Sequence, residues 1–500
     1  MKSLPLICIA LGFADSDELL QHARREADEG ETFFEFRLDY LRRPADGIRA
    51  IRELVAEHPE CSILATCRRR QNRGRFNGAM EEQLQILEAA SEAGAMAVDL
   101  EIESAEKCAP WLSALRSKTQ VVVSYHNFEA TPPMEPVLKR MLRCPAEVYK
   151  VVTTARKPSD VQRALALART HPRTRTIVLS MGELGFPSRV LSPLFGGAFT
   201  YAAPCSAEGT AAGQVSARVL RHLYRLEKLS RSSKVYGVIA DPVKHSMSPA
   251  VHNRAFQSRR VDAVYLPFLV PPTQLKDFMG LADKLPVAGF SVTMPHKQKV
   301  LRYLDAVDPL ARRIGAVNTV WKKAGKWRGA NTDAPAVVAP LARHMRLPKA
   351  SILLIGSGGA ARSAAFALVD AGARVSVVGI ELDRVRALAR ACGGEMLLEA
   401  QLPKLHFDAV VHATPLGMSP RVEECYFKDR VPADVVLDMV YNPLETLLIR
   451  RAREQEKTVI PGLQMFLEQA ARQFEIWTGE SAPRAVMEKA AVEALTAART

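Results

Sequence analysis

Five polar residues in the first half of the chain follow or interrupt short apolar runs. They are Glu35, Arg37, Arg68, His126 and Lys150. A lysine in an apolar segment close to arginines is expected to have its neutral amine favoured, which is the form that attacks a ketone to give an imine. Histidine exchanges protons near neutral pH, and arginine binds a carboxylate through two parallel hydrogen bonds. The set therefore predicts imine-assisted removal of a proton next to a ketone.

Eight predicted strands, separated by amphipathic helical segments such as Asp17–Glu29 and Asp46–Glu57, would position these residues. The strands are Leu6–Gly12, Thr32–Tyr40, Ser62–Arg68, Met96–Ile102, Gln120–Phe128, Glu147–Ala155, Thr174–Gly182 and Phe199–Pro204. They are rich in Val, Ile and Phe, as buried parallel strands are. Eight such units predict an α/β fold, a (β/α)8 TIM barrel, whose functional residues lie at the C-terminal ends of the strands. Glu35, Arg68 and His126 lie at or near such ends.

The polar motifs also follow a fixed order along the chain. They read Glu-Phe-Arg-Leu-Asp at 35–39, Thr-x-Arg at 66–68, Ser-Tyr-His-x-Phe at 124–128, Tyr-Lys at 149–150 and Met-Gly-x-x-Gly-x-x-Ser-Arg at 181–189. In this order, residues 1–230 resemble type I 3-dehydroquinate dehydratase. The resemblance implies that Lys150 forms an imine with the substrate and that His126 is the general acid and base for loss of water. It also implies substrate contacts by Glu35, Arg37, Arg68, Arg189, Thr210 and Gln214, the last two on a lid after the eighth strand.

One position departs from the pattern of that family. Its members usually have Glu four residues after the arginine of the third strand, where it orients the histidine, and this chain has Asn72. An amide accepts a hydrogen bond but carries no charge to stabilise an imidazolium. The substitution predicts a lower pKa for His126 than in its relatives, and a dehydratase that is slower below neutral pH.

A glycine-rich turn in the second half has the sequence context of a dinucleotide-binding fold. The predicted strand Ser351–Ile355 leads into Gly-x-Gly-x-x-Ala, a predicted helix Arg362–Asp370 and a strand Arg374–Val378. Small residues at this turn let the backbone approach a pyrophosphate at the N-terminus of a helix. The residues predicted to bind the cofactor in this loop are Gly356, Gly358, Gly359, Ala360 and Ala361.

Four motifs precede this turn, and a Rossmann domain alone would not need them. They are Lys-His-Ser-Met-Ser-Pro at 244–249, Ser-Val-Thr-Met-Pro-His-Lys at 291–297, Gly-Ala-Val-Asn-Thr at 315–319 and Ala-Asn-Thr-Asp at 330–333. With Ala-Thr-Pro-Leu-Gly-Met at 413–418 and the segments after Tyr441 and Gly462, they resemble shikimate dehydrogenase over residues 235–500. The resemblance implies that Lys297 and Asp333 are the catalytic pair. It also implies substrate contacts by Ser246, Ser248, Thr293, Asn318, Tyr441 and Gln469, and a cofactor contact by Gly462.

The two resemblances imply three domains in one bifunctional enzyme of the shikimate pathway. The barrel would span 1–230, an α/β substrate-binding domain 231–335 and a Rossmann-type NAD(P) domain 336–461, with helices at 462–500 packing back on the substrate domain. The enzyme would dehydrate 3-dehydroquinate to 3-dehydroshikimate and reduce this product to shikimate. Two alternatives stay open: a quinate or shikimate dehydrogenase acting oxidatively in catabolism, and a metabolite sensor with decayed catalysis. Retention of both lysines argues against the sensor.

Two residues give opposing indications of nucleotide preference. Relatives that prefer NADP end the second Rossmann strand with Asn-Arg-Thr, whereas this chain has Gly-Ile-Glu, ending at Glu381. An acidic residue about 20 positions after the glycines favours the ribose of NAD. Arg384 follows one turn later, where the family also places a phosphate-binding arginine. We expect NADP, with NAD as the alternative, and no metal, because no His/Cys cluster is present and neither reaction needs one.

The composition argues against several other classes. The chain of 500 residues is 48% hydrophobic, and its net charge of +14 is not gathered into a basic block. Small anions are therefore expected as partners and nucleic acid is not. No apolar run approaches the roughly 18 residues needed to cross a membrane, so no membrane partner and a cytoplasmic location are expected. The 8 cysteines form no C-x-x-C pair, which indicates free thiols. The sequence leaves the oligomeric state open.

Overall fold

The computed structural model describes residues 4–205, 209–244 and 246–497, so His245 of one predicted motif lies outside the described residues. The chain forms two compact units. One consists of residues 1–233 with 267–286, and the other of residues 234–266 with 287–500. Among the described residues, no helix has both the length and the apolar character needed to cross a membrane.

The first unit is built around eight strands that alternate with helices. The strands are β1 (Ile7–Leu11), β2 (Phe33–Arg37), β3 (Ser62–Thr66), β4 (Ala97–Glu101), β5 (Gln120–His126), β6 (Val148–Thr154), β7 (Thr176–Met181) and β8 (Thr200–Ala202). The helices are α1 (Ser16–Asp28), α2 (Asp46–Glu57), α3 (Met80–Glu92), α4 (Ile102–Ala105), α5 (Ala109–Leu115), α6 (Met134–Met141), α7 (Pro158–Thr170) and α8 (Pro187–Leu194). Helix α1 illustrates why the sequence forms these helices. The Asp15 carboxylate caps its N-terminus by accepting hydrogen bonds from the backbone N–H groups of Asp17 and Glu18, and its apolar face buries Leu19 and Leu20.

These strands form a nearly closed parallel barrel. Their order in the sheet is β7-β6-β5-β4-β3-β2-β1-β8, and neighbouring strands run parallel. The chain just before β8 returns to β7, where the N–H of Ala198 donates to the carbonyl oxygen of Thr176 at 2.7 Å. The predicted (β/α)8 fold is confirmed, and each observed strand falls within its predicted segment.

The two-residue period of the strands divides the barrel interior into an apolar layer and a polar layer. Phe33 of β2 and Val148 of β6 belong to one buried apolar cluster. Two residues further along the same strands lie Glu35 and Lys150, both buried. Because residues i and i+2 of a strand point to the same side, the polar side chains lie above the apolar ones, toward the C-terminal ends of the strands.

The rest of the chain contributes two further sheets. Their strands are β9 (Lys234–Ala240), β10 (Ala263–Leu269), β11 (Val287–Val292), β12 (Ala306–Val307), β13 (Thr319–Lys323), β14 (Lys326–Ala330), β15 (Ser351–Ile355), β16 (Arg374–Val378), β17 (Glu395–Met396), β18 (Phe407–His412), β19 (Ala433–Asp438) and β20 (Thr458–Ile460). The helices are α9 (Ser248–Arg259), α10 (Leu275–Lys284), α11 (Pro309–Ile314), α12 (Asp333–Ala342), α13 (Gly359–Asp370), α14 (Leu382–Cys392), α15 (Leu447–Glu454), α16 (Gly462–Thr478) and α17 (Arg484–Ala497).

One sheet is mixed and the other is entirely parallel. The mixed sheet has the order β10-β9-β11-β13-β14-β12, and the parallel sheet has the order β17-β16-β15-β18-β19-β20. The predicted strands at 351–355 and 374–378 are β15 and β16 of the parallel sheet. Helix α13 begins at Gly359, three residues earlier than the predicted Arg362, so the small residues of the motif form its first turn.

Helix α10 belongs to the first unit as part of the segment 267–286, although residues 234–266 and 287–500 on either side of this segment lie in the second. It packs against α7, and the Asp277 carboxylate accepts a hydrogen bond from the N–H of Ser159 at 2.7 Å. A carboxylate is favoured there because unpaired N–H groups are exposed at a helix N-terminus. The segment 231–335, predicted as one domain, is thus divided between the two units. Helices α16 and α17 pack against α9.

Replacing His252 by Phe is expected to reduce the loss of stability of the second unit in acid. The His252 ring is fully buried, with its centroid 4.6 Å from that of Tyr265 and 5.0 Å from that of Trp477. Burial lowers the pKa of His252 from 6.5 to about 3. Between these values the unfolded chain binds a proton that the folded chain excludes. In the wild type, the burial of His252 therefore costs no free energy of unfolding above pH 6.5. Below that pH the free energy of unfolding falls toward pH 3, by up to about 1.4 kcal/mol per pH unit.

Urea unfolding at pH 7 and pH 5, followed by tryptophan fluorescence, measures this difference. Three of the four tryptophans, Trp321, Trp327 and Trp477, lie in the second unit. An equal loss of stability in wild type and His252→Phe would contradict the role given to His252.

Two candidate active sites

Lys150 lies at the centre of the barrel with two carboxylates as hydrogen-bond acceptors. Its Nζ is 3.0 Å from Asp99 Oδ2 and 3.4 Å from Glu35 Oε1, and it lies 4.1 Å from the centre of the Tyr201 ring. The sequence predicted arginines as the neighbours of this amine. The structure adds two carboxylates to that prediction: strands β2 and β4 bring Glu35 and Asp99 to the depth of Lys150, and Arg68 Nη2 lies 3.8 Å from the same oxygen of Asp99.

Asp99 is a site residue that the sequence interpretation missed. It is 1% exposed, and its other oxygen accepts a hydrogen bond from Ser124 Oγ at 2.6 Å. Burial alone would raise the pKa of the Asp99 carboxyl, but Lys150 and Arg68 hold it below its ordinary value. A signal was available: Asp99 and Glu101 alternate with apolar residues in β4, and carboxylates with that spacing share one face of a strand.

Arg68 and Arg189 keep hydrogen-bond donors available in the barrel. The Nε atoms of both guanidinium groups are buried and have no acceptor among the described residues. Arg68 Nη2 lies 3.8 Å from Asp99 Oδ2, and Arg189 Nη2 donates to the carbonyl oxygen of Ala212 at 3.1 Å. Burial lowers the pKa of Arg189 to about 10. Buried guanidinium groups with open donors are suited to an anion, which would relieve both their charge and their missing hydrogen bonds.

The predicted lid contacts Arg189 through a backbone group, the carbonyl oxygen of Ala212. Within it, Gln214 Oε1 accepts a hydrogen bond from the N–H of Ala211 at 3.0 Å and lies 3.5 Å from Thr210 Oγ1. Gly213 has φ +80°, and a Cβ there would lie 2.9 Å from the carbonyl oxygen of Gly182. The lid therefore passes close over the loop that follows β7, and it brings Gln214 and Arg189 to one end of the barrel.

Arg37 is held differently from Arg68 and Arg189. Its Nε and Nη2 donate to the two oxygens of Asp39 at 2.9 and 2.8 Å, and its guanidinium lies 4.6 Å from the centre of the Tyr40 ring. Two of its donor groups are thus occupied within the protein. The structure places Arg37 beside the site, with fewer donors open to a substrate than Arg68 has.

His126 ends β5 and has a strongly perturbed ring. Burial lowers the pKa of His126 well below its usual value, and the cations Arg68, Lys150 and Arg37 lower it further. That Asn72 makes the pKa of His126 lower than in its relatives stays a prediction. The predicted rate loss below neutral pH does not follow from it, because a base with a lowered pKa stays neutral in more acidic solution.

Asn72 is paired with Glu103. Its Nδ2 donates to Glu103 Oε2 at 2.8 Å, and its Oδ1 is buried without a hydrogen-bond partner among the described residues. The side chain therefore supplies no charge of its own to the barrel site.

The second candidate site centres on a contact between Lys297 and Asp333. Lys297 Nζ donates to Asp333 Oδ2 at 2.5 Å, and Asn318 Nδ2 donates to Asp333 Oδ1 at 2.8 Å. Asp333 is the first residue of α12 and is 4% exposed, whereas Lys297 is half-buried. The sequence placed these three residues in three separate motifs, and the structure brings them together. A lysine held by a buried carboxylate can deliver a proton to, or accept one from, an oxygen beside it.

The other predicted substrate residues fall into two small groups. Ser246 Oγ accepts a hydrogen bond from the N–H of Ser248 at 3.3 Å. The Tyr441 ring stacks on Phe466 with centroids 4.5 Å apart, and Gln469 Nε2 donates to the carbonyl oxygen of Phe466 at 2.9 Å. Burial raises the pKa of Tyr441 to about 12, so its hydroxyl is a neutral donor.

Thr293 links the mixed sheet to the segment that carries Lys297. It is half-buried, and its N–H donates to the carbonyl oxygen of Ile239 in β9 at 3.2 Å. The chain then turns, with the N–H of His296 donating to the Thr293 carbonyl oxygen at 2.9 Å. Lys297 follows this turn directly, so its position depends on the end of β11.

The glycine loop leaves room that larger residues would fill. Gly356 has φ +120°, and a Cβ there would lie 2.8 Å from the carbonyl oxygen of Ala413. A Cβ on Gly359 would lie 3.3 Å from Lys297 Cδ, and one on Gly462 would lie 2.3 Å from the carbonyl oxygen of Val440. Gly359 begins α13, whose first turn presents N–H groups suited to a phosphate. The loop thus fits a dinucleotide, and it lies against Lys297.

Glu381 and Arg384 bind each other at the start of α14. Arg384 Nη1 lies 2.8 and 3.0 Å from the two oxygens of Glu381, and both side chains are more than half exposed. In the sequence interpretation, each residue was a separate indicator of nucleotide preference. In the structure, the guanidinium that could meet a phosphate is occupied by the carboxylate that would repel one.

Three family models match the chain in succession. The model described as type I 3-dehydroquinase matches residues 7–231, and that of the shikimate dehydrogenase substrate binding domain matches residues 238–320. The shikimate 5'-dehydrogenase C-terminal domain matches residues 462–492.

Whole-length relatives combine the same two parts. The chain is 33% identical over 509 residues to the bifunctional 3-dehydroquinate dehydratase/shikimate dehydrogenase, chloroplastic, of Arabidopsis thaliana, covering 97% of this chain and 84% of the relative. It is 32% identical over 382 residues to the shikimate biosynthesis protein AroDE of Chlamydia pneumoniae, covering 76% of this chain and 78% of that one. A shikimate dehydrogenase crystallised with NADP+ superposes with a TM-score of 0.51 at 34% identity, covering 53% of this chain and 97% of that structure.

Replacing Asn72 by Glu is expected to raise the pKa of His126. In the wild type we expect a value below the ordinary 6.5, because burial and three cations disfavour the imidazolium. A carboxylate added at position 72 favours the imidazolium and is expected to raise the pKa of His126 by about one unit when its charge lies within hydrogen-bond reach of the ring. Proton NMR titration of 13C-histidine protein measures this, with His126→Gln identifying the resonance. Asn72→Gln is the matched control, since it adds the same length without charge. The same pKa in Asn72→Glu and Asn72→Gln would contradict the prediction.

Proposed function

Since the chain belongs to the family of bifunctional 3-dehydroquinate dehydratases/shikimate dehydrogenases of the shikimate pathway, we propose that its barrel site dehydrates 3-dehydroquinate and that its second site reduces the resulting 3-dehydroshikimate to shikimate. The observation that carries this assignment is that each unit holds one lysine against a buried carboxylate. These pairs are Lys150 with Asp99 and Lys297 with Asp333. One amine is suited to bond formation with a ketone, and the other to proton transfer at an oxygen.

In the barrel, Lys150 attacks the ketone of the substrate and forms an imine with loss of water. The positive imine nitrogen acidifies the neighbouring C–H group, so that a base can remove its proton. His126, neutral because of its lowered pKa, is suited to take that proton and to return it to the departing hydroxyl. Loss of this hydroxyl as water and hydrolysis of the imine complete the reaction. Lys150 must be a neutral amine when it attacks, and Asp99 and Glu35, which contact this nitrogen, would stabilise the positive charge of the protonated imine once it has formed.

The substrate carboxylate is proposed to bind Arg189, with Gln214 closing over it from the lid. Arg189 has an open, buried donor and a lowered pKa, and Gln214 lies on the segment that it contacts. Glu35 and Arg68 would face the hydroxyl groups and the imine. Arg37 acts mainly by holding Asp39, to which it donates two hydrogen bonds.

In the second site, Lys297 is proposed to protonate the ketone oxygen during reduction. A nicotinamide nucleotide supplies the hydride when it is bound. Reduction places negative charge on the oxygen, and an ammonium held by Asp333 stabilises that charge and transfers its proton. Asn318 keeps the Asp333 carboxylate in place. Ser246, Ser248, Thr293, Tyr441 and Gln469 are proposed to bind the substrate hydroxyls and carboxylate.

The proposed nucleotide is NADP, held less selectively than in relatives that lack an acidic residue at this position. Gly356, Gly358, Gly359, Ala360 and Ala361 would face the pyrophosphate, with Gly462 at the start of α16 nearby. Arg384 would meet the 2′-phosphate only after leaving Glu381, which also makes NAD acceptable. No metal is part of the proposal. The one group of possible metal ligands in the described part of the chain, Glu26, Glu29 and Cys205, includes no proposed site residue.

We retain the domain division as part of the proposal: a dehydratase domain at 1–230, a substrate domain at 231–335 and a nucleotide domain at 336–461, with helices 462–500 returning to the substrate domain. The matches at residues 7–231 and 238–320 support the first two domains, and the match at 462–492 supports a separate C-terminal segment. The packing of α16 and α17 on α9 supports the assignment of the last helices.

Lys150→Ala is expected to abolish trapping of 3-dehydroquinate on the protein by borohydride. Borohydride reduces an imine to a stable amine, and intact-mass spectrometry then detects the added substrate. We expect stoichiometric labelling of the wild type, and loss of dehydratase activity by at least about 10³-fold in Lys150→Ala, since the covalent route is removed. Lys297→Ala is the control and should label normally. Equal labelling with and without Lys150 would exclude it as the imine-forming residue.

Glu381→Gln is expected to increase the preference for NADP. The change removes a carboxylate that both repels a 2′-phosphate and occupies Arg384. We expect kcat/KM for NADP to rise about tenfold relative to that for NAD, which corresponds to about 1.4 kcal/mol. Asp383→Asn is the matched control, because Asp383 forms a similar exposed ion pair with Arg386. An unchanged NADP/NAD ratio in Glu381→Gln, or an equal change in both variants, would contradict this role.

A further inference from the structure

We propose that Gln473 of α16 is a positioning residue for the Lys297–Asp333 pair, acting through a continuous chain of buried hydrogen bonds. The inference rests on the proposed reductase function of that pair. None of the motifs that indicated the function contains Gln473. The residue is 1% exposed, and its side-chain amide contacts both β11 and β13 of the mixed sheet.

The first part of the chain of hydrogen bonds runs from the mixed sheet to α16. Tyr265 Oη donates to Ser291 Oγ at 2.7 Å, and Ser291 Oγ donates to Gln473 Oε1 at 2.8 Å. Tyr265 is fully buried and Ser291 is 6% exposed. Polar groups buried to this extent are costly unless they are paired, so these contacts are persistent features of the interior.

The second part runs from α16 to the carboxylate of Asp333. Gln473 Nε2 donates to the carbonyl oxygen of Asn318 at 3.1 Å and to Thr319 Oγ1 at 3.2 Å. Thr319 Oγ1 donates to Asn318 Oδ1 at 2.8 Å. Asn318 Nδ2 then donates to Asp333 Oδ1 at 2.8 Å. The remaining oxygen of Asp333 accepts from Lys297, which is the charged group in contact with it in the described structure.

Donor and acceptor rules fix the direction of every step. The backbone carbonyl of Asn318 can only accept, so the NH2 group of Gln473 must face it, and its oxygen must face Ser291. Thr319 accepts from Gln473 and therefore has its own proton for Asn318 Oδ1. This oxygen also accepts from the N–H of Thr332 at 2.7 Å. Asn318 is thereby prevented from flipping, and its NH2 group is aimed at Asp333.

The chain of hydrogen bonds has two consequences for the reaction. A donor on one oxygen of Asp333 leaves the other oriented toward Lys297, so the ammonium is held where a ketone oxygen is to be protonated. Gln469 lies four residues before Gln473 on α16, and residues with this spacing share a helix face. A predicted substrate residue and the catalytic pair are therefore tied to one helix face, which fixes the position of one relative to the other.

Gln473→Met and Thr319→Val test the proposal by removing the hydrogen bonds while keeping side-chain volume. For shikimate oxidation we expect kcat to fall about tenfold with a KM for shikimate within about twofold, because the lost interaction serves the chemical step and not binding. We also expect the acid limb of the pH–kcat profile to move to higher pH. Either change leaves Asn318 less firmly held and weakens its hydrogen bond to Asp333, so the carboxylate attracts the ammonium more strongly and Lys297 releases its proton less readily.

Dehydration of 3-dehydroquinate by the same full-length variants is the internal control and is expected to stay at the wild-type rate. A kcat within twofold of wild type and an unmoved acid limb in both variants would overturn the proposal. A lower kcat with an unmoved acid limb would do the same, since it indicates loss of folded protein only. Should Gln473→Met fail to fold, Thr319→Val decides by the same criteria. Failure of the wild type to oxidise shikimate would instead overturn the proposed function, and this inference with it.

Discussion

The positive charge of a lysine inside a protein must be balanced, and both sites of this chain are arranged around that requirement. An unpaired ammonium in a low-dielectric interior is strongly unfavourable, whereas one paired with a carboxylate that has further hydrogen bonds is tolerated. Lys150 has Asp99 and Glu35, and Asp99 is in turn bound by Ser124. Lys297 has Asp333, which is bound by Asn318. The partners of each lysine come from elements far apart in sequence, so each pair forms only when its own unit is folded.

The same pairing serves different chemistry because the surroundings differ. In the barrel, Lys150 is 4% exposed and lies among buried arginines and a histidine with a lowered pKa, an environment that accepts an anionic substrate and a charged imine. Lys297 is half-buried beside the glycine loop of α13, where an oxygen and a hydride donor could both reach it. The two lysines therefore differ in burial and in neighbours, in line with the different roles proposed for them.

The fold could be predicted from the sequence, and Lys150 and Lys297 could be proposed as site residues, because their signals are local. Strand segments such as Gln120–Phe128 are apolar runs that end in polar residues, and the glycine turn at 356–361 is recognisable within one strand–turn–helix unit. The partners of those residues could not be predicted. That Asp99 faces Lys150 depends on the inward direction of side chains from β4 and β6, which is fixed only when the barrel closes.

Two further features were not inferred. Glu381 and Arg384 are separated by one helical turn, and their ion pair was not inferred although the spacing permits it. Helix α10 lies within the segment proposed as the substrate domain, and its packing against α7 could not be inferred from its position in sequence. Sequence order gives the neighbours of an element along the chain, but burial of its apolar face decides its neighbours in space.

The contact between Gly359 and Lys297 limits how the second site can change. The loop that would carry the nucleotide and the lysine that would transfer the proton lie so close that a single methyl group at position 359 would sit 3.3 Å from Lys297 Cδ. A side chain added at position 359 would therefore crowd Lys297 as well as the loop proposed to carry the nucleotide. Around Glu381, at the far end of β16, the side chains are exposed, so a substitution there has solvent space in which to alter nucleotide preference.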